Sequence, residues 1–106
     1  MRNPYTKYTP MIKALADEAR LKIVHMLAGG PLCACQILKE FDFTQPTLSY
    51  HMKVLTDSGL VKGVRKGAWM WYSLDRNKLD RLIQFITEIT DGAGAKDPDH
   101  EECDCR

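Results

Sequence analysis

The stretch "TQPTLSYHMKVLTDSGLVKGVRKGAWMWYSL", residues 44–74, changes its period partway along, and that change decides the fold. In its first half Leu48, Met52 and Leu55 recur at i, i+4 and i+7, behind Thr44 as a possible cap and Pro46, whose missing N–H costs nothing in a first turn. Ser58-Gly59 stops this helix. In the second half Trp69 and Trp71 alternate with Met70, Tyr72 and Leu74 across a turn signal at Lys66-Gly67, a pattern that predicts a β-hairpin.

Upstream, Thr9-Pro10 reads as a cap followed by a first-turn proline, opening a helix with Met11, Ile12 and Leu15 on one stripe. Asp17 offers the next cap, for a helix carrying Leu21, Val24 and Leu27 that Gly29-Gly30 ends. After Pro31, "LCACQILKEF" is a third, shorter helical candidate that begins at or near its two thiols, with Ile37, Leu38 and Phe41 facing inward. Downstream of the hairpin, Asp75 can cap a helix in which Leu79, Leu82, Ile83, Ile86 and Ile89 form one apolar face. The order helix, helix, short helix, helix, hairpin, helix is that of a winged helix-turn-helix domain, mainly α with a β-hairpin. Residues 1–90 are expected to form this domain, and residues 91–106, without periodicity, an acidic flexible tail bearing a second cysteine pair.

At 106 residues the chain has room for one core, and no apolar run approaches a membrane span. MRNPYTKYTP lacks an apolar export segment, so a cytoplasmic location is expected and the four cysteines read first as ligands or redox groups, not staples. The formal charge of +1 hides an asymmetry: residues 1–90 carry 13 Lys/Arg against 8 Asp/Glu, and residues 91–106 carry 2 against 6. A basic body is suited to nucleic acid, though it is also what many solvated surfaces look like.

On a wheel of the helix from Gln45, Pro46, Thr47, Ser49, Tyr50 and Lys53 fall opposite the apolar stripe. Gln, Ser and Thr can bond base edges in a major groove, while Lys and Tyr reach phosphates, so Gln45, Thr47, Ser49, Tyr50 and Lys53 are the candidate DNA contacts. His51 sits at the edge of the apolar face, suited to a backbone or phosphate oxygen, and joins that set. Lys62, Arg65 and Lys66 concentrate positive charge on the hairpin, a wing laid along phosphates. Trp69 and Trp71 are expected to pack the hairpin rather than stack on bases.

With "LADEARLKIVHML", "CAC", "TQPTLSYHMKVLTDSGLV" and "GVRKGAWMWYSL" in this order, residues 8–90 resemble the arsenical-resistance-operon repressors of the ArsR/SmtB family. The resemblance implies a homodimeric repressor, not an enzyme, that binds double-stranded operator DNA through residues 45–57 and leaves it when a metal or metalloid binds. It also implies that the first and last helices form the dimer interface, for which Met11, Ile12, Leu15, Leu79, Leu82, Ile83 and Ile86 are the candidates. A CxC pair at the start of the third helix marks the arsenite and antimonite sensors, which makes Cys33 and Cys35 the metal ligands and As(III) or Sb(III) the inducer, with no organic cofactor. Relatives that sense divalent ions use Asp and His on the last helix, and here that helix has no histidine. Some relatives carry a third cysteine at the position matching Leu38, which this chain lacks. Cys103 or Cys105 could supply a third sulfur, since the stretch from Thr90 to Cys103 spans up to about 45 Å. Equally, the tail could be a separate scavenging pair with His100 as a weak helper, or contribute to a four-thiolate site favouring cadmium or lead.

Residues i and i+2 of a helix point about 200° apart, so the expected mechanism is that an inducer draws Cys33 and Cys35 together and distorts the first turn of the short helix. Three alternatives stay open: a Cd(II), Pb(II) or Zn(II) sensor of the same fold, a Cys33–Cys35 redox switch, and cysteine as a small hydrophobe. An enzyme such as an arsenate reductase would need an oxyanion-cradling loop beside a reactive cysteine, and the sequence has none.

Overall fold

The computed structural model describes residues 3–92; Cys103, Cys105 and His100 lie outside the described residues. The elements in order are α1 (Pro4–Leu15), α2 (Glu18–Leu27), β1 (Leu32–Cys33), α3 (Ala34–Leu38), α4 (Gln45–Ser58), β2 (Val61–Lys66), β3 (Trp69–Leu74) and α5 (Arg76–Thr90). This is the winged helix-turn-helix order, mainly α, with one extra short strand beside the hairpin.

α1 starts earlier than Thr9-Pro10. Asn3 caps it, its side chain accepting from the Tyr5 N–H at 2.8 Å, and Pro4 fills the first turn. Asn3-Pro4 carries the same cap-and-proline signal as Thr9-Pro10, one and a half turns upstream, and it prevails. Pro10 therefore stands inside the helix, where it cannot donate to the Thr6 carbonyl. Thr6 and Pro10 are both exposed, so solvent can serve that oxygen. The Thr9 hydroxyl donates to the Tyr5 carbonyl in the same turn.

Asp17 caps α2 by accepting from the Arg20 N–H at 3.0 Å. The buried residues of α2 are Ile23 and Leu27; Leu21, expected inward, is 53% exposed and sits on the opposite side. "LCACQILKEF" is only partly helical. Pro31 and the extended Cys33 (φ −84°, ψ 160°) make the first residues a strand, and Cys33 is the N-cap of α3 rather than a residue within it. The Gln36 side chain returns to accept from the Cys33 N–H at 2.9 Å.

α4 buries Leu48, Met52 and Leu55 and ends at Gly59, whose φ of +90° is a left-handed cap suited to glycine. The hairpin turns through Gly67 and Ala68, between the paired Lys66 and Trp69, with Gly67 at φ +64°. The antiparallel sheet has the order β1-β3-β2, with Leu32 opposite Tyr72 and Cys33 opposite Trp71. β3 is thus shared between the wing and the strand that carries the first thiol.

One core joins these layers: Met11 and Ala14 from α1, Ile23 and Leu27, Ile37, the α4 stripe, Leu60 and Val61, and Leu82 from α5. α1 also meets α5 through Tyr8 stacked on Phe85 at 4.5 Å. Among the described residues no helix is long and apolar enough to cross a membrane.

Candidate nucleic-acid interface and thiol site

Gln45, Pro46, Thr47, Ser49, Tyr50 and Lys53 are all exposed on α4, opposite the buried Leu48, Met52 and Leu55. Tyr50 is 60% exposed, its ring tilted against His51 at 5.6 Å between centroids. The Lys53 ammonium lies 3.1 Å from the Asp57 carboxylate one turn on, a solvated pair easily exchanged for a phosphate. Lys62, Arg65 and Lys66 are exposed along β2, and Lys66 Nζ lies 6.0 Å from the centre of the Trp71 ring. Polar hydrogen-bonding groups on one helix and cations on the adjoining hairpin thus make a continuous outer surface.

His51 departs from this set. Its ring is turned inward, the side chain only 12% exposed, with Nδ1 at 3.1 Å from Arg20 Nη1 and 3.8 Å from Asp17 Oδ2. A guanidinium only donates, so Nδ1 is the acceptor in this contact. Arg20 also donates from Nε to the Ala14 carbonyl at 2.8 Å, which ties the end of α1, the start of α2 and the middle of α4. Asp17 is held below the usual carboxylate range, chiefly by the Arg20 N–H. His51 thus faces Arg20 and Asp17 on the inner side of α4. Sequence reasoning missed Arg20, and nothing in the chain links two residues 31 positions apart.

The thiols are already together. Cys33 Sγ and Cys35 Sγ are 3.0 Å apart, and the expected inducer-driven approach of the two sulfurs is corrected accordingly. The 200° argument holds only within a helix, and Cys33, an extended N-cap residue, lies outside one. Cys33 is buried and Cys35 exposed. A hydrogen bond from the Cys35 thiol, aided by the Gln36 N–H, pulls the Cys33 thiol below the ordinary range. The same bond, with desolvation, pushes Cys35 up. The two sulfurs thus face each other within hydrogen-bond distance, a ready bidentate ligand for a thiophilic centre.

Of the candidate interface residues, Met11 and Leu82 are spent in the chain's own core, at 8% and 1% exposure. Leu15 and Leu79 are half-buried against it. Ile12, Ile83 and Ile86 remain open, as do Tyr5 and Ile89, an apolar surface spread over α1 and α5.

An exposed polar face on the second helix of a helix-turn-helix, flanked by a basic wing, defines a winged-helix DNA-binding regulator. Residues 17–62 match the family described as "Bacterial regulatory protein, arsR family". The arsenical resistance operon repressor of Staphylococcus aureus is 44% identical over 85 residues, covering 80% of this chain and 82% of the relative. That of Staphylococcus xylosus is 38% identical over 102 residues, covering 93% and 98%. Among solved structures, a homodimeric winged helix-turn-helix DNA-binding domain from Mycobacterium bovis, a possible ArsR-family regulator, superposes with a TM-score of 0.68 at 26% identity, over 84% of this chain and 82% of that one. The chain belongs to the arsR family of bacterial regulatory proteins: it is a DNA-binding transcriptional regulator with a repressor's role, not an enzyme.

Proposed function

We propose that this protein is a metalloid-responsive repressor that binds its operator as a homodimer and is released when As(III) or Sb(III) is held by Cys33 and Cys35. The observation that carries this reading is the 3.0 Å separation of the two sulfurs, one of them drawn toward thiolate. With metal–sulfur bonds near 2.3 Å, a tetrahedral ion spreads two sulfurs to about 3.8 Å, whereas a pyramidal trivalent centre with bond angles near 95° needs about 3.4 Å. Both spacings exceed the 3.0 Å contact, so either centre opens the pair, and the preference for the trivalent metalloids is supported by the names of the Staphylococcus relatives.

Coupling runs through the sheet. Cys33 is in register with Trp71 on β3, and β3 is the inner strand of the wing. Opening the sulfurs by a few tenths of an ångström moves a residue paired directly to the wing, while Cys35 moves with α3, the helix ahead of the reader α4. A coupling of about 1–3 kcal/mol per site weakens operator binding about 5- to 150-fold. The homodimer is supported by the open apolar surface of Ile12, Ile83 and Ile86, and it suits a twofold operator. Cys103 and Cys105 are further candidate ligands on the tail.

The test is operator binding by fluorescence anisotropy, titrated with arsenite, antimonite, cadmium, lead and zinc. Arsenite and antimonite should release the full chain, and Cys33→Ser/Cys35→Ser should bind the operator and stay bound. Release of that double variant by arsenite refutes the assignment.

A further inference from the structure

The antiparallel register sorts the side chains of the wing onto two faces. Directly paired residues share a side of the sheet, so Val61 with Leu74, Gly63 with Tyr72 and Arg65 with Met70 lie on one face. Lys62 with Ser73, Val64 with Trp71 and Lys66 with Trp69 lie on the other. The first face is the inner one: Tyr72 and Leu74 pack against the core, and Gly63, Met70 and Tyr72 line a groove shared with Ser49 and Lys53 of α4. It is packed closely enough to need a glycine, since a Cβ at Gly63 would stand 3.0 Å from Tyr72 Cε1 and 3.1 Å from Met70 Cε.

The outer face is open. Val64 is 53% exposed, Trp71 is half-buried, and Trp69, although it borders a hollow beside α3, is 56% exposed. Packing within the hairpin, the role expected of both indoles, therefore accounts for only part of Trp69. Two of the three wing cations, Lys62 and Lys66, stand on this same face, with Lys66 Nζ 6.0 Å from the centre of the Trp71 ring, whereas Arg65 belongs to the inner face. We propose that Lys62, Val64, Lys66, Trp69 and Trp71 form a binding surface for single-stranded DNA, distinct from the face of α4 that meets the duplex.

Three features select this occupant. Exposed indoles flanked by ammonium groups match a ligand made of aromatic bases on a phosphate chain, because any base can stack on an indole while lysine neutralises phosphate. Spacing agrees as well. At about 3.4 Å per residue, Trp69 and Trp71 are about 6.8 Å apart along β3, the interval of two stacked nucleotides at about 3.4 Å each. Bases inside a duplex are closed in their own stack and present no free faces to an indole, so the strand must be single. Finally, the surface lies on the hairpin that adjoins the reader helix, so a strand parting from the duplex at the wing passes directly onto it. That continuity with the duplex-binding surface selects DNA as the source of the strand.

Trp69 and Trp71 are the only tryptophans of the chain, so intrinsic emission reports this face alone. The full chain, kept reduced, is titrated with an oligothymidylate of about twelve nucleotides, which forms no duplex with itself. Emission should be quenched saturably, and log Kd should rise against log salt with a slope of about 1.4, from about 0.7 for each phosphate held by Lys62 and Lys66. Trp69→Leu should weaken binding by at least about fivefold, the lower bound for one lost base stack. Val64→Glu, which sets a carboxylate in the middle of the face, should abolish the quench while duplex operator binding, followed by anisotropy, persists. Absence of quenching by oligothymidylate overturns the proposal, and so does loss of oligothymidylate and duplex binding together in a folded Val64→Glu protein. If circular dichroism shows that Val64→Glu does not fold, Trp69→Leu decides, and unweakened binding in that variant overturns the proposal. Tighter binding of an oligouridylate of the same length overturns the assignment to DNA in favour of RNA.

Discussion

Removing the Arg20–His51 contact probes how the reader helix is held. Arg20→Met deletes the 2.8 Å bond from Nε to the Ala14 carbonyl and the 3.1 Å bond from Nη1 to His51 Nδ1. Hydrogen bonds with a charged partner contribute about 1.5–3 kcal/mol each, and both are only part-buried, so the low end applies and the variant should lose about 2–3 kcal/mol. His51→Ala loses the second bond together with ring packing against Phe43, whose centroid lies 5.4 Å away. The shared bond should appear as a coupling of about 1 kcal/mol when the two single variants and the double variant are compared by urea unfolding. All four proteins must be measured at one protomer concentration, because self-association shifts apparent stability. Each kcal/mol corresponds to about 4–8 °C in Tm for a domain of this size. A coupling below about 0.3 kcal/mol would show that Arg20 and His51 contribute independently and would refute the description of His51 as held by Arg20.

Three further outcomes are expected. Ile83→Asp, at a position 54% exposed on the free chain, should fold but sediment as a monomer and lose operator affinity; a stable dimer would place the interface elsewhere. Arg65→Ala/Lys66→Ala removes four cations per dimer and should flatten the slope of log K against log salt by about 3 to 4, whereas an unchanged slope would detach the wing from the phosphates. In a chain freed of its tail thiols, thiolate absorbance should rise in two steps. Cys33 should ionise below the ordinary thiol range because the Cys35 thiol donates to it, and Cys35 above. Cys35→Ala removes the donor, so the remaining step should move up in pH; movement downward would contradict the hydrogen bond.

Much of this architecture was legible in the chain because its signals are local. The α4 stripe, the Gly59 stop, the Asp17 and Asp75 caps and the hairpin turn each depend on a few neighbouring residues. What escaped was non-local or competitive. Two cap-and-proline signals stood six residues apart, and periodicity could not say that Asn3-Pro4 would win. The strand at Leu32–Cys33 exists because β3 is there to pair with it, and no local preference encodes a partner some forty residues away. The thiol geometry depended on that strand, since a rule for helices fails at an extended N-cap. Leu21 satisfied helical spacing with Val24 and Leu27, yet the core selected Ile23 and Leu27.

The ladder that ties Cys33 to the wing is two residues long, against six in the hairpin itself. So short a seam is the first part of the sheet to unzip under strain, and it does so without melting the hairpin. It behaves as a slipping clutch: substitutions at Leu32 or Tyr72 that loosen it should yield a protein that still clamps its operator but no longer hears the inducer, a permanently silent switch made without removing either sulfur.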